Sequence, residues 1–327
     1  MVKIASLNLP DYPLFLAPME DVTDPSFRHI CKHFGADMVY TEFVASEALI
    51  RDIAKTFKKL EISDSERPIG IQLYGHNIDA MVESAKIATE AKPDVIDINF
   101  GCPVKKIATR GAGAGMLRDI PKLLKMTSEI VKATHLPVTV KTRLGWDCSD
   151  IVIEQLAEQL QDCGIQALTI HGRTRAQLFT GQADWEPIGR VKNNPRIRIP
   201  IIGNGDINSP QKAKEAFNKY GVDGIMIGRP TYGRPYIFKE IRHFLETGAE
   251  MPPLTIDQKV DLAKLHFMKS VEYKGERRGV LEMRRHLVSY FKALPNFKEM
   301  RLKLVTTDEP AKVIELLESI RNQFSAF

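Results

Sequence analysis

Short apolar segments alternate with longer amphipathic ones along roughly the first 230 residues of this chain. Each short run is apolar or β-branched, and the stretch after it repeats its apolar residues with the period of an α-helix. The runs are PLFLAPME (13–20), DMVYTEF (37–43), PIGIQLYG (68–75), DVIDINFG (94–101), LPVTVKTRLG (136–145), QALTIHGR (166–173), IPIIGNGD (199–206) and GIMIGR (224–229). Eight strand–helix units in this order predict an α/β fold, a TIM (β/α)8 barrel.

An open, doubly wound sheet is the alternative topology for such a pattern. In that fold a nucleotide-binding strand is followed at once by G-x-G-x-x-G at the start of a helix. The closest match, RGAGAG (110–115), lies several residues beyond its strand and opens no evident helix. The barrel is therefore the preferred prediction.

The pattern changes after Gly248. Beyond MPPLT (251–255) the periodicity is helical to the end of the chain, with no strand signal. We therefore predict a barrel domain over residues 1–250 and a small helical-bundle domain over 251–327. The segment RRGVLEMRRHLVSYFKAL (277–294) is its most basic helix.

Composition and charge narrow the possible functions. Hydrophobic residues make up 43% and charged residues 27% of the 327 positions, and no apolar run is long enough to span a bilayer. The N-terminus lacks the apolar core of a signal peptide, which favours a cytoplasmic protein. Four widely spaced cysteines without C-x-x-C argue against a structural zinc site or an iron–sulfur cluster, so no metal is expected. The net charge is +5, which fits either a polyanionic partner or a solvated surface.

Polar and reactive side chains stand at the carboxyl ends of nearly all the predicted strands. In TIM barrels these ends carry the chemistry, and the loops after strands seven and eight commonly bind phosphate. GNGD (203–206) and GR (228–229) suit a phosphate, because glycines let backbone N–H groups approach an anion and Arg229 adds charge. Gln72, Asn99 and Lys141 suit the edge of a planar heterocycle. The spacing alone fits flavin mononucleotide (FMN) and a phosphorylated substrate equally.

Several of these strand-end motifs also resemble those of one enzyme family. They are APMEDVTDPSFR (17–28), QLYG (72–75), DINFGCPVKK (97–106), GAGML (113–117), VKTRLGWD (140–147), TIHGRTRAQLFTGQADW (169–185), IGNGDI (202–207) and GIMIGRPTYGRPYIF (224–238). Together they resemble the tRNA-dihydrouridine synthases, and the bacterial B-type subfamily most. The resemblance runs in order from Leu14 to Phe238 and continues more weakly into MRRHLVSYFK (283–292). One departure is Phe100, where the family commonly has methionine; on a strand its side chain points away from Asn99 and Gly101.

The resemblance implies an FMN-dependent enzyme that uses NADPH to reduce the C5–C6 bond of particular tRNA uridines to dihydrouridine. Cys102 matches the catalytic cysteine. The positions that match the flavin site are Pro18, Met19, Glu20, Gln72, Asn99, Lys141, His171, Asn204, Gly205, Asp206, Gly228 and Arg229. The roles of Asn99 and His171 are assigned less specifically, to the flavin or the substrate pocket.

A two-stage reaction is the resulting hypothesis. NADPH reduces the flavin and leaves; hydride then passes from reduced FMN to C6 of uridine, and Cys102 donates a proton to C5 as a general acid. The uridine must leave its stack to reach the flavin. The arginines expected to contact the tRNA are Arg110, Arg143, Arg173, Arg175, Arg284 and Arg285. One monomer per tRNA is expected.

Two other functions remain open at this point. Dihydroorotate and dihydropyrimidine dehydrogenases share the barrel, the flavin and a cysteine that acts on the same pyrimidine carbons, but the order of motifs fits them poorly. An RNA-binding or RNA-chaperone protein with a vestigial barrel is the non-enzymatic alternative. Such a protein would need neither the flavin nor the thiol.

Overall fold

The computed structural model describes residues 1–51 and 53–324. The strands are β1 (Val2–Ile4), β2 (Leu7–Leu9), β3 (Leu14–Leu16), β4 (Val39–Tyr40), β5 (Val44–Ala45), β6 (Ile69–Tyr74), β7 (Val95–Phe100), β8 (Val138–Arg143), β9 (Ala167–His171), β10 (Ile201–Asn204) and β11 (Gly224–Ile227). The helices are α1 (Pro25–His33), α2 (Ser46–Leu49), α3 (Ala54–Phe57), α4 (Ile78–Glu90), α5 (Lys105–Ala108), α6 (Ile120–Ala133), α7 (Ile153–Asp162), α8 (Glu186–Asn193), α9 (Pro210–Tyr220), α10 (Ile237–Thr247), α11 (Ile256–Lys274), α12 (Glu276–Phe291), α13 (Lys298–Thr306) and α14 (Pro310–Phe324). Short 3-10 turns lie at Lys58–Leu60, Asp64–Glu66, Gly113–Arg118 and Arg229–Thr231.

Eight parallel strands form a nearly closed barrel. Their order is β3, β11, β10, β9, β8, β7, β6 and β4, and the short β5 also pairs with β6. Between β4 and β3 the ring is completed by the Leu16 N–H, which donates to the carbonyl of Met38 at 2.9 Å. All eight strands correspond to the eight predicted runs, so the predicted TIM barrel is confirmed.

An antiparallel hairpin of β1 and β2 precedes the barrel and was not predicted from the sequence. Ile4 and Leu9 are buried and pack with Phe15, Tyr40 and Val95 on the barrel interior. The hairpin therefore covers the end of the barrel where the strands begin. The opposite, carboxyl end of the barrel is the end that carries the cavity described below.

The helices around the barrel begin and end at residues that suit those positions. The Ser209 hydroxyl accepts a hydrogen bond from the Lys212 N–H, and Pro210 follows at the first helical position of α9, as predicted. The same helix ends at Gly221, whose φ of 66° favours glycine. These local signals explain why α9 ends where the chain must turn back toward β11.

Helices α11 to α14 pack around a second apolar cluster, which includes Ile30 of α1. Thr255 and Gln258 form a capping box that starts α11, close to the predicted domain boundary. Ile30 belongs to the predicted barrel domain but packs in the apolar cluster of the C-terminal helices, so the two parts of the chain share a core. The placement of a domain boundary at residue 250 stays a prediction. Among the described residues, no helix is long and apolar enough to cross a membrane.

Candidate active site

A cavity of about 610 Å³ opens at the carboxyl ends of the barrel strands. Its lining includes Cys102 and every residue that the sequence assigned to the cofactor: Pro18, Met19, Glu20, Gln72, Asn99, Lys141, His171, Asn204, Gly205, Asp206, Gly228 and Arg229. A volume of this size is typical of small-molecule and cofactor sites. The structure thus brings together side chains from nearly the whole length of the barrel, while the role of each stays a prediction.

A chain of hydrogen bonds crosses the floor of this cavity from β8 to the Cys102 loop. The Asp97 carboxylate accepts from Thr139 Oγ1 at 2.5 Å and from Gln72 Nε2 at 2.6 Å. Gln72 Oε1 accepts from Asn99 Nδ2 at 2.9 Å, and Asn99 Oδ1 accepts from the N–H groups of Gly101 and Cys102 at 2.9 Å. The amide orientation of Gln72 is therefore set by Asp97, and the turn that carries the thiol is set by Asn99.

The Cys102 loop is also supported from behind by the glycine-rich segment that resembled a Rossmann fingerprint. The Ala114 N–H donates to the carbonyl of Cys102 at 3.0 Å. Gly113 has a φ of 54°, and a Cβ there would lie 2.9 Å from the Cβ of Cys102. Glycine at 113 thus satisfies both the backbone conformation and the close packing, and the segment supports the turn that carries the thiol.

The Cys102 thiol is held in its protonated form. Only 8% of the residue is exposed, and burial raises the pKa of the thiol, although the Val104 N–H and the positive charge of Arg143 oppose the change. A thiolate nucleophile requires a lowered pKa, so this thiol is suited to donating a proton. The environment agrees with the general-acid role that the resemblance implied.

Lys141 brings a titratable positive charge to the cavity. Its ammonium donates to Asn204 Oδ1 at 3.2 Å, while Asn204 Nδ2 donates to the Met226 carbonyl at 2.8 Å. Burial, with repulsion from Arg143, lowers the pKa of Lys141 to about 8. The lysine is therefore mostly protonated at neutral pH and offers its charge to an electron-rich ligand.

Two arginines expected to contact tRNA at the cavity mouth are instead buried. Arg143 and Arg173 are each 2% exposed. Arg143 donates from Nε to the Gly101 carbonyl and from Nη1 to the carbonyls of Thr174 and Leu178, all at 2.8 Å. Arg173 forms an ion pair with Asp206 at 2.7 Å. Both side chains are therefore buried and hydrogen-bonded to main-chain carbonyls of the protein, and contact of either one with RNA stays a prediction.

The other four predicted tRNA contacts differ in accessibility. Arg110 and Arg285 are exposed. Arg175 is half-buried and stacks on the Trp146 ring at 4.6 Å, and Arg284 pairs with Asp308 and the Thr307 carbonyl. Contact with RNA stays a prediction for all four.

The sequence analysis missed several residues that shape the cavity. Phe43, Phe179 and Tyr232 line it. Phe179 is 49% exposed, and the Cζ atoms of Arg143 and Arg229 lie 5.5 and 4.7 Å from the centroid of its ring. Nothing local distinguished these aromatic residues from others in loops. Asp97 was also missed, although the apolar run DVIDINFG (94–101) contains it together with Asn99. Two polar side chains in an otherwise apolar strand were the signal that could have identified it.

The C-terminal helices hold two of the loops that border the cavity. Lys274 at the end of α11 forms buried ion pairs with Asp24, just after the first cavity loop, and with Glu282 at 2.6 Å. On the other side, a Cβ at Gly233 would lie 2.3 Å from the carbonyl carbon of Ser289 on α12. These helices are therefore part of the structure that shapes the site.

Comparison with known proteins identifies the family. The model of the dihydrouridine synthase (Dus) family matches residues 15–325. This chain belongs to the dihydrouridine synthase family. A "Probable tRNA-dihydrouridine synthase" of Rickettsia bellii is 39% identical over 99% of this chain and 100% of its own length. "tRNA-dihydrouridine synthase B" of Pseudomonas aeruginosa is 38% identical over 92% of this chain and 90% of its own. The family resemblance read from the sequence is thereby confirmed.

One solved structure shows the same barrel in a more distant protein. Histamine dehydrogenase from Rhizobium sp. 4-9 superposes with a TM-score of 0.54 over 78% of this chain and 48% of its own chain. The two sequences are only 13% identical, so the likeness concerns the fold alone.

Proposed function

We propose that this protein reduces particular uridines of tRNA to dihydrouridine, with FMN as bound cofactor and NADPH as reductant. Membership of a family of enzymes and the names of the relatives support the reaction class. The observation that carries the proposal is the position of Cys102. A protonated, buried thiol stands at the edge of a cavity whose other walls offer groups for a phosphate-bearing heterocycle.

The donor set of the cavity fits a flavin. The amides of Gln72 and Asn99 and the ammonium of Lys141 can meet the donors and acceptors of a pyrimidine edge. On the opposite wall, Gly205 and Arg229 can receive a phosphate; a φ of 127° at Gly205 turns the backbone there in a way that glycine alone adopts readily. When bound, the cofactor supplies the hydride that reaches C6 of the uracil.

The Cys102 thiol completes the reduction by giving its proton to C5. As hydride reaches C6, electron density moves toward C5, and the S–H bond breaks as the C5–H bond forms. The thiolate that remains lies near the positive charge of Arg143 and the Val104 N–H, both of which favour the ionised form. Water then returns the proton to sulfur. Hydride and proton together saturate the C5–C6 bond.

The target uridine must be extruded from its stack, since the cavity lies inside the barrel mouth. We assign the grip on the tRNA backbone to the helical segment 251–327 and to the accessible arginines: Arg110, Arg175, Arg284 and Arg285. Arg143 and Arg173 are left out of this set because both side chains are buried and hydrogen-bonded to main-chain carbonyls. A single chain per tRNA remains our expectation.

Cys102→Ala tests the proposal, with Cys148→Ala as a matched control, since Cys148 is exposed and does not line the cavity. FMN-loaded Cys102→Ala should oxidise NADPH normally, whereas formation of dihydrouridine in tRNA should fall by a factor of about 100 or more. Cys148→Ala should match the unmodified protein in both assays. Dihydrouridine formation at the normal rate in Cys102→Ala would refute the general-acid role.

The whole chain, and not a truncated form, should be used to separate this function from the alternatives. Removing residues 251–327 would expose Ile30 and leave Asp24 without Lys274, so loss of activity would not be informative. Turnover of free uracil or dihydroorotate without tRNA would favour a dihydropyrimidine-dehydrogenase type of enzyme. Absence of bound flavin together with tight tRNA binding would favour an RNA-binding protein.

A further inference from the structure

Arg173 is a buried cation, and each of its three guanidinium nitrogens lies within hydrogen-bonding distance of a protein group. Nε donates to the Thr180 carbonyl at 3.1 Å. Nη2 donates to the Gly181 carbonyl at 2.6 Å and to the two carboxylate oxygens of Asp206 at 2.7 and 3.0 Å. Nη1 lies 3.3 Å from Nε2 of His171. The guanidinium is therefore held in one orientation by main-chain carbonyls and a carboxylate, with one edge turned to the histidine.

This contact determines which nitrogen of His171 carries the proton. A guanidinium stays protonated in proteins and has no acceptor. Nε2 of His171 must then be the acceptor, with a free lone pair, and the ring proton of neutral His171 must be on Nδ1. Nδ1 has no hydrogen-bond partner within residues 1–51 and 53–324, and His171 lines the cavity.

We propose that Arg173 is a positioning residue that fixes His171 as a neutral Nδ1–H donor to a carbonyl oxygen bound in the cavity. Under the function proposed above, on which this step rests, that oxygen belongs to the target uracil or to the pyrimidine ring of the flavin. A flavin carbonyl would gain negative charge on reduction by NADPH, and the uracil carbonyl would gain it as hydride arrives at C6, so a donor already aimed at either oxygen stabilises the charged state more than the initial state.

Charge and packing around the ring support this assignment. Burial, together with repulsion from Arg143, Lys141, Arg173 and Arg229, keeps the pKa of His171 well below its usual value, so the ring is neutral at physiological pH. The Cδ2–Nε2 edge of the ring also meets Gly205, where a Cβ would lie 3.1 Å from Cδ2 and 3.4 Å from Nε2. Asp206, which neutralises Arg173, also accepts from the Ala183 N–H at 2.7 Å. The ring therefore has little freedom to turn.

The tautomer can be measured directly by nitrogen-15 NMR of histidine-labelled protein, with the His171 signals assigned by their loss in His171→Asn. Protonation on Nδ1 is expected, and protonation on Nε2 would overturn the proposal whatever the activity. Arg173→Lys keeps a cation beside Asp206 but cannot form the same fork of hydrogen bonds. This variant should show a mixture of tautomers; an unchanged tautomer would mean that Arg173 does not set it.

Two substitutions at position 171 test which nitrogen acts on the ligand. The amide of asparagine can place an N–H where Nδ1 stands, whereas the amide of glutamine reaches the position of Nε2. His171→Gln should lose a factor of about 100 in the affected step, and His171→Asn about tenfold or less. Equal losses in the two variants, or a larger loss in His171→Asn, would overturn the role of Nδ1–H.

Measuring the two half-reactions separately, reduction of the flavin by NADPH and its oxidation by tRNA, shows which carbonyl oxygen His171 contacts. A loss confined to oxidation of the reduced flavin by tRNA assigns the uracil carbonyl, and a loss in FMN affinity or in reduction by NADPH assigns the flavin carbonyl. An unmodified protein that neither binds FMN nor acts on tRNA would refute the proposed function itself. The NMR result would still decide the tautomer in that case.

Discussion

Replacing Lys274 with methionine removes the positive charge that joins the helical segment to the first loop of the active site. Lys274 pairs with Asp24 and Glu282, and its side chain is only 5% exposed. Methionine has similar length and leaves the apolar packing largely in place. The substitution therefore isolates the loss of charge at a position where the Asp24 carboxylate, 7% exposed, has no other cation in a salt bridge among the described residues.

The pKa of Asp24 gives the size of the effect. Burial alone would raise this pKa, but attraction to Lys274 and hydrogen bonds from Lys274 and Ser26 lower it from 3.8 to about 2. A lowered pKa in the folded state contributes stability that is fully present above the unfolded-state pKa and is lost as pH falls toward 2. The shift corresponds to about 2 kcal/mol, and leaving a buried charge unpaired costs about 3 to 5 kcal/mol. At pH 7 we expect a loss of about 2 to 4 kcal/mol.

Urea unfolding of Lys274→Met at pH 7 measures this loss, and Lys264→Met on the same helix is the control. Lys264 pairs with Glu318 in a partly exposed position, so its removal should cost much less. Adding Asp24→Asn to Lys274→Met should recover part of the loss, because asparagine still caps α1 without a buried charge. Equal destabilisation by Lys274→Met and Lys264→Met would refute the reasoning.

Three further predictions concern the active site and the RNA. Asp97→Leu should lower dihydrouridine formation about tenfold or more, because the Gln72 amide loses its acceptor. Asp97→Asn can still accept that hydrogen bond and should lose less activity. Equal activities of the two variants would refute the role of Asp97 in orienting Gln72. In stopped-flow experiments, the rate of flavin reduction by NADPH should decline as pH rises through about 8, because Lys141 loses its charge there. The rate at which tRNA oxidises the reduced flavin should persist to higher pH, because the pKa of Cys102 is raised. Lys141→Arg should remove the decline in flavin reduction near pH 8, and a decline that persists in this variant would assign it to another group. The logarithm of tRNA affinity should fall linearly with the logarithm of salt concentration. The slope should be about one unit shallower in Arg285→Ala, and it should be unchanged in Arg196→Ala, which lies on the outside of the barrel. Identical slopes in Arg285→Ala and the unmodified protein would exclude Arg285 from the interface with tRNA.

The barrel was predictable because its signals are local. Each strand is a short run of apolar residues, and each strand–helix boundary carries residues such as Ser209 and Pro210 whose preferences depend on their neighbours along the chain. The hairpin of β1 and β2 was missed because strands of three residues are too short to show a period. Its stability comes from covering the lower end of the barrel, which only the assembled fold provides.

The sequence by itself determined most of the polar strand-end residues that surround the cavity, since parallel strands of a barrel place their carboxyl ends together and motif order identified those ends. The tertiary structure alone decided how the residues act on one another. Arg110 and Arg173 are both arginines in loops after strands, yet Arg110 is exposed, whereas Arg173 is buried and bound to Asp206 and main-chain carbonyls. The hydrogen bond between Gln72 and Asn99, and the ion pair between Asp24 and Lys274, join residues 27 and 250 positions apart. Burial and long-range pairing depend on how distant segments pack, and the physical state of an ionisable side chain follows from that packing.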